Sequence, residues 1–186
     1  MKTRCGWVSN EEIYIKYHDE EWGVPVRDDA TQFEFLILET FQAGLSWITI
    51  LRKRENFRKA LDNFDYKKIA QYNEDKIQSL LENEGIIRNK LKVRATVTNA
   101  QAFMKIQEEF GSFTDYIWGF VNHQPVNAKR KNLKEVPPTT ELSDKISKDL
   151  KKRGFKFVGS TVIYAHLQAT GIVNDHVTDC FRHAEV

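Results

Sequence analysis

The chain has 186 residues, 41% of them hydrophobic and 29% charged, with a formal net charge of +2. That length can close one medium domain or two tightly packed lobes without crosslinks, and no apolar run approaches the roughly 18 residues of a membrane span, so a membrane class is excluded. So mild a charge does not by itself call for a polyanionic partner, and any affinity for nucleic acid has to come from local clusters. The opening stretch, MKTRCGWVSNEEIYIKYHDEEWG, lacks the continuous apolar segment of a secretory signal and is too acidic for a transit peptide, which makes the expected location cytoplasmic.

Helical spacing of apolar residues recurs along the chain and no alternating strand pattern exceeds a few residues, so the fold class reads as all-α. Ser9 followed by Glu12 makes a capping-box pattern ahead of Ile13, Tyr14 and Tyr17, which share one helical face. Asp29 with Gln32 opens a second helix, where Phe33, Leu36, Ile37 and Phe41 repeat at helical spacing until Gly44 stops it. Ser46 caps a third, from Trp47 through the charged run RKRENFRK. Further helices are expected near 65–72, 74–83, 88–109, 112–120, 143–153, 160–170 and 175–183, and Phe155–Val158 reads as extended. The stretch 122–140, NHQPVNAKRKNLKEVPPTT, combines three prolines, a basic cluster and little apolar content, which marks a loop. The helices flanking it are short, so the N- and C-terminal segments are expected to pack together.

Three constellations carry chemistry. Cys5 and Cys180 lie near opposite ends of the chain, and a disulfide between them would be unusual in a reducing cytoplasm. With His18 and His176 they supply the two thiolates and two imidazoles of a closed tetrahedral zinc site, and the step from His176 to Cys180 puts both on one face of the expected last helix. Thirteen residues between Cys5 and His18 is not a standard finger spacing, however, and two buried thiols beside two unrelated histidines account for the same residues. His183 competes for a ligand position. A metal held by all four would leave no site for water and would tie the termini together.

The second group is Tyr14, Tyr17, Trp22, Glu39 and Trp47. Aromatics at helical spacing most often pack a core, but Glu39 sits on a largely apolar helix within LETFQAG, where an unpaired charge is costly to bury. A flat cation such as a methylated purine would satisfy both features, stacking on the rings and pairing with the carboxylate. The third group comprises the basic clusters Arg88–Arg94, Lys129–Lys134 and Lys148–Lys156, either solvated faces or contacts to phosphate, with Gly85 placed to let backbone amides approach one.

From end to end the chain resembles the type I 3-methyladenine DNA glycosylases of the helix-hairpin-helix superfamily. The motifs are RCGWVS (4–9), YIKYHDEEWGVP (14–25), LETFQAGLSWITIL (38–51), ENEGIIRNKLKV (82–93), FVNHQP (120–125), LKKRGFKFVGST (150–161) and GIVNDHVTDC (171–180). The resemblance implies two helical lobes, one formed by the termini (about 1–30 and 122–186) and one central (about 31–121). It also implies monofunctional removal of 3-methyladenine from double-stranded DNA, with the free base as product and a structural zinc on Cys5, His18, His176 and Cys180. The base pocket then falls on Tyr14, Tyr17, Trp22, Glu39 and Trp47, with Glu39 in the catalytic role. Gln42, Gly44 and Leu45 resemble the wedge that fills the space a displaced base leaves, and Gly85, Arg88, Lys90 and Lys152 are taken as further DNA contacts. The superfamily's glycine-rich hairpin is reduced here to Gly85, with no clear aspartate downstream. Methylation makes the leaving base cationic, so it departs neutral without a general acid. Two rivals share these features: a non-catalytic, zinc-stabilised DNA-binding module, and a zinc hydrolase, which needs an open coordination position. No heptad pattern asks for a partner chain, so a monomer is expected.

Overall fold

The computed structural model describes residues 2–186. Nine α-helices among them form the body: α1 (Glu12–Glu20), α2 (Asp29–Gln42), α3 (Trp47–Ala60), α4 (Tyr66–Ile69), α5 (Glu74–Glu82), α6 (Lys90–Phe110), α7 (Phe113–Gly119), α8 (Glu141–Lys152) and α9 (Ser160–Ala169). Inside the 122–140 loop, β1 (Val126–Asn127) pairs in parallel with β2 (Val173–Asn174), Val126 opposite Val173. Two residues per strand leave no alternation to read, which is why the all-α expectation had no place for them.

α2 is the central helix because it is apolar almost all round, with Phe33, Phe35, Leu36, Ile37, Leu38 and Phe41 all buried. It packs on α6, α7 and α9, and one continuous core runs from Phe57 and Phe64 through Leu36 to Ile146, Leu150 and Leu167. A smaller cluster gathers Cys5, Tyr17, Trp22, Phe35, Leu51, Val177 and Cys180 where the two ends of the chain meet. The termini therefore do pack together.

Helix ends depart from the expected signals in instructive ways. Ser9 does not cap α1: its hydroxyl accepts from the Glu11 N–H instead, and Glu11 occupies the cap position without a side-chain bond. Asp28, not Asp29, caps α2 by accepting from the Thr31 N–H. Asp29 instead reaches across the fold and takes Phe113 N–H, Thr114 N–H, Thr114 Oγ1 and Gln107 Nε2, at 2.7–2.9 Å, binding the start of α7 to α2. Thr140 and Ser143 form a reciprocal capping box on α8, two residues earlier than expected. Phe155–Val158 is not extended, since Phe157 has a φ of +57°. The helix expected over 175–183 is absent: His176 lies in irregular backbone just before a turn, Val177–Cys180, that is followed by a 3-10 segment, Phe181–Ala184.

Candidate functional site

A cavity of about 190 Å³ opens between α1, α2, α9 and the 122–140 loop, and all five residues expected to form a base pocket line it: Tyr14, Tyr17, Trp22, Glu39 and Trp47. α1 supplies Tyr14 and Tyr17 from one face, Trp47 stands at the start of α3, and Trp22 projects from the turn after α1. The rings brace one another, Tyr17 on Trp47 at 5.6 Å between centroids and Trp22 on Trp7 at 5.0 Å. Trp7 also meets Tyr14 at 5.1 Å and lines the cavity, a member the sequence reading missed although it stands within RCGWVS.

Glu39 is 2% exposed. Its Oε2 lies 2.7 Å from His166 Nδ1 on α9, and His166 Nε2 lies 2.7 Å from Gln32 Oε1. Burial raises the Glu39 carboxyl pKa, and the neighbouring imidazole opposes the rise. The second oxygen, Oε1, is buried without a hydrogen-bond partner among the described residues, and so is Trp47 Nε1. Buried polar atoms are nearly always paired, so one acceptor and one donor left open around the same cavity point to a ligand that satisfies both. Tyr17, fully inside, has its phenol pKa pushed well up by burial and by the charge of Glu39, so it stays an O–H donor. His166 was not singled out from the sequence and Gln32 was read only as part of a helix-start pattern, because a partner more than 120 residues away along the chain leaves no local signal.

Cys5, His18, His176 and Cys180 converge although no helix joins the last two. Their ligand atoms lie within 4.8 Å of one another, all four residues buried. Three sulfur–nitrogen separations are 3.5–3.6 Å, against an edge of about 3.6 Å for a tetrahedron with Zn–S and Zn–N bonds of about 2.3 and 2.1 Å. The remaining ring nitrogens are already committed, His18 Nδ1 to Asp19 Oδ1 at 2.8 Å and His176 Nε2 donating to the Trp22 carbonyl at 2.9 Å, which turns the other nitrogen of each ring inward. The cluster can hold a metal ion. His183 is not part of it; its Nδ1 bonds the His176 carbonyl. Gly23 makes room for it: with φ at +83°, a Cβ there would lie 2.8 Å from His176 Nε2. Because His176 also meets the Trp22 ring at 4.6 Å, the cluster backs one wall of the cavity.

The residues expected to contact DNA distribute unevenly. Gln42 lines the cavity, while Gly44, at φ +81°, and Leu45, 39% exposed, form the tip of the turn between α2 and α3. Arg88 and Lys90 are exposed where α6 begins. Gly85 is in a turn before α6 and not at a helix start, and its N–H is taken by Asn83 Oδ1. Lys92, from the same basic cluster, is buried and donates to the Phe41 and Ala43 carbonyls at 2.9 and 2.8 Å, closing the end of α2 beneath the Gly44 turn. Arg94 pairs with Glu74, Arg130 with the buried Asp175, and Arg153 with Glu109 and Asp149, so much of the basic composition is spent internally. Lys152 is exposed at the end of α8.

The helical fold with its ring-lined cavity around a buried carboxylate is that of a glycosylase: the chain belongs to the methyladenine glycosylase family, whose model matches residues 7–183. Within it, the protein is a glycosylase of the 3-methyladenine DNA glycosylase I type. It is 50% identical over 177 residues to DNA-3-methyladenine glycosylase 1 of Escherichia coli, covering 95% of both chains, and 48% identical to DNA-3-methyladenine glycosylase of Haemophilus influenzae, covering 97% of both. Its structure superimposes on a crystal structure of 3-methyladenine DNA glycosylase I with a TM-score of 0.94 at 49% identity, covering 96% of this chain and 98% of that one. A second match, at 34% identity and TM-score 0.93 over 96% of both chains, is a tyrosine-to-phenylalanine variant of such an enzyme in complex with 3-methyladenine.

Proposed function

We propose that the protein excises 3-methyladenine from alkylated double-stranded DNA in base-excision repair, as a monofunctional glycosylase of the helix-hairpin-helix superfamily acting as a monomer in the cytoplasm. The observation that carries the reading is the unpaired Oε1 of Glu39, a residue that lines a cavity walled by Tyr14, Tyr17, Trp22 and Trp47. In this scheme the damaged nucleotide turns out of the stack, its cationic ring lies against the aromatic faces, and its exocyclic amine donates to Oε1. The terminal and central lobes meet around that cavity. Leu45, with Gln42 and Gly44, fills the space the base leaves, while Arg88, Lys90, Lys152 and the Gly85 turn take backbone phosphates.

The C1′–N9 bond breaks with its electron pair going to the base, which leaves neutral because its methyl group had already placed the positive charge there. No proton donor is needed. Glu39 and the DNA phosphates stabilise the positive charge that develops on the sugar, and water then adds to C1′ with loss of a proton to solvent. No amine forms a covalent intermediate. Cys5, His18, His176 and Cys180 would hold a zinc ion that supplies no chemistry, since these four side chains would fill its positions, and the ion would serve to join the termini and hold His176 against Trp22.

Incubation with methylated duplex DNA separates this from a non-catalytic, zinc-stabilised DNA-binding module. Release of free 3-methyladenine supports the enzyme; stoichiometric binding with no base released supports the module.

A further inference from the structure

The open oxygen of Glu39 depends on what holds the other one. The Val26 carbonyl accepts hydrogen bonds from Gln32 Nε2 at 3.1 Å and from Trp118 Nε1 at 2.8 Å. Turning the Gln32 amide over would press its oxygen against that carbonyl, so Oε1 must face His166 Nε2, and that nitrogen must carry a proton. The 2.7 Å contact between His166 Nδ1 and Glu39 Oε2 then needs a single proton between them, held either by the imidazole or by the carboxyl group. Gln32 and His166 are fully buried and Glu39 nearly so, so no water competes for these contacts.

In both arrangements the proton lies on the Oε2 side and Oε1 keeps only lone pairs. The pair is also neutral overall, so the ring-lined wall does not shelter a bare anion. Burial favours the protonated carboxyl; were the imidazole missing, that proton would be free to settle on Oε1 and make it a donor. The other ionisable groups around the cavity are Tyr14, Tyr17 and Asp175. Burial raises both phenols, and the Asp175 carboxylate takes Tyr164 O–H and Gln168 Nε2.

We infer that His166, oriented by Gln32, is a positioning residue that keeps Glu39 Oε1 a hydrogen-bond acceptor facing the cavity, and that this relay sets a preference for purines with a 6-amino group over 6-oxo purines. The inference rests on the 3-methyladenine reading above. An amine donates to Oε1; a 6-oxo group would set two buried acceptors against each other, a mismatch that costs at least about tenfold in affinity.

The test titrates the purified protein with 3-methyladenine and with 3-methylhypoxanthine, following tryptophan fluorescence, and records nitrogen-15 spectra of its histidines. The wild type should favour 3-methyladenine at least about tenfold, and His166→Leu should bring the ratio toward one while retaining 3-methyladenine binding. In the wild-type spectra, His166 Nε2 should be protonated whether or not the cavity is filled. A wild type that binds neither base overturns the functional reading and this inference with it. One that binds 3-methyladenine, while a folded His166→Leu protein keeps the full ratio, overturns the inference alone. If that variant does not fold, the spectra decide: a bare Nε2 with the proton on Nδ1 refutes the relay, and a protonated Nε2 supports it.

Discussion

With the shared proton on the imidazole, replacing Glu39 by Gln removes a carboxylate and the imidazolium behind it while preserving the geometry around them. His166 keeps its Nε2 proton on Gln32, so its bare Nδ1 can accept from the new amide, whose oxygen still faces the cavity as Oε1 does now. Stability should change little, with the midpoint of thermal unfolding within a few degrees of wild type. Binding of a cation should not survive as well. A unit charge about 4 Å from a carboxylate gains about 4 kcal/mol at an effective dielectric of about 20, and an imidazolium behind it, about 7 Å from the ligand, returns a little over half. The net loss is about 2 kcal/mol, or roughly thirtyfold in single-turnover release of 3-methyladenine from methylated DNA. A Glu39→Gln enzyme that releases the base at the wild-type rate would remove the carboxylate from the mechanism.

Chelation, or Cys180→Ser, should remove one metal ion per chain and lower the unfolding midpoint by at least about 10 °C, since folding and metal binding are coupled through both termini. Metal analysis beside calorimetry checks this, and full metal content in the folded variant would refute the four-residue site. Lys92→Met should cost about 1–3 kcal/mol by leaving the Phe41 and Ala43 carbonyls unpaired, yet leave the salt dependence of DNA binding unchanged. Arg88→Ala or Lys90→Ala should do the opposite, reducing the slope of log affinity against log salt by about one with little loss of stability. For Asp29, burial pushes the carboxyl pKa up, but the donors from Gln107, Phe113 and Thr114 outweigh it and hold it below the usual range. Its contribution is therefore complete above the unfolded value near 4 and lost as pH falls through the lower folded value, so Asp29→Ala should cost about 1–3 kcal/mol near pH 7 and progressively less in acid. Denaturant melts across that range measure it.

Local signals were legible wherever a few neighbouring residues decide the outcome. The apolar run of α2, the Gly44 stop and the long α6 follow from periodicity and backbone freedom alone, and Glu39 could be read as anomalous because a carboxylate among Phe35, Leu36, Leu38 and Phe41 conflicts with its own surroundings. The four residues of the Cys/His cluster were legible as donor types, though not through the helix expected to join two of them. His176 and Cys180 meet across a turn because the termini fold together, not because of helical spacing.

Residue order by itself determined a largely helical chain with a misplaced acid, two distant cysteines and scattered basic clusters. Only the tertiary structure decided which of those charges are left free: Lys92, Arg94, Arg130 and Arg153 stand in clusters that read equally as solvated faces or phosphate contacts, and in the fold they are bound to carbonyls or carboxylates. It also decided the partner of Glu39. Gln32, His166 and Val26 come together across three separate segments, and a hydrogen bond between residues 127 positions apart depends on packing that no window of sequence contains.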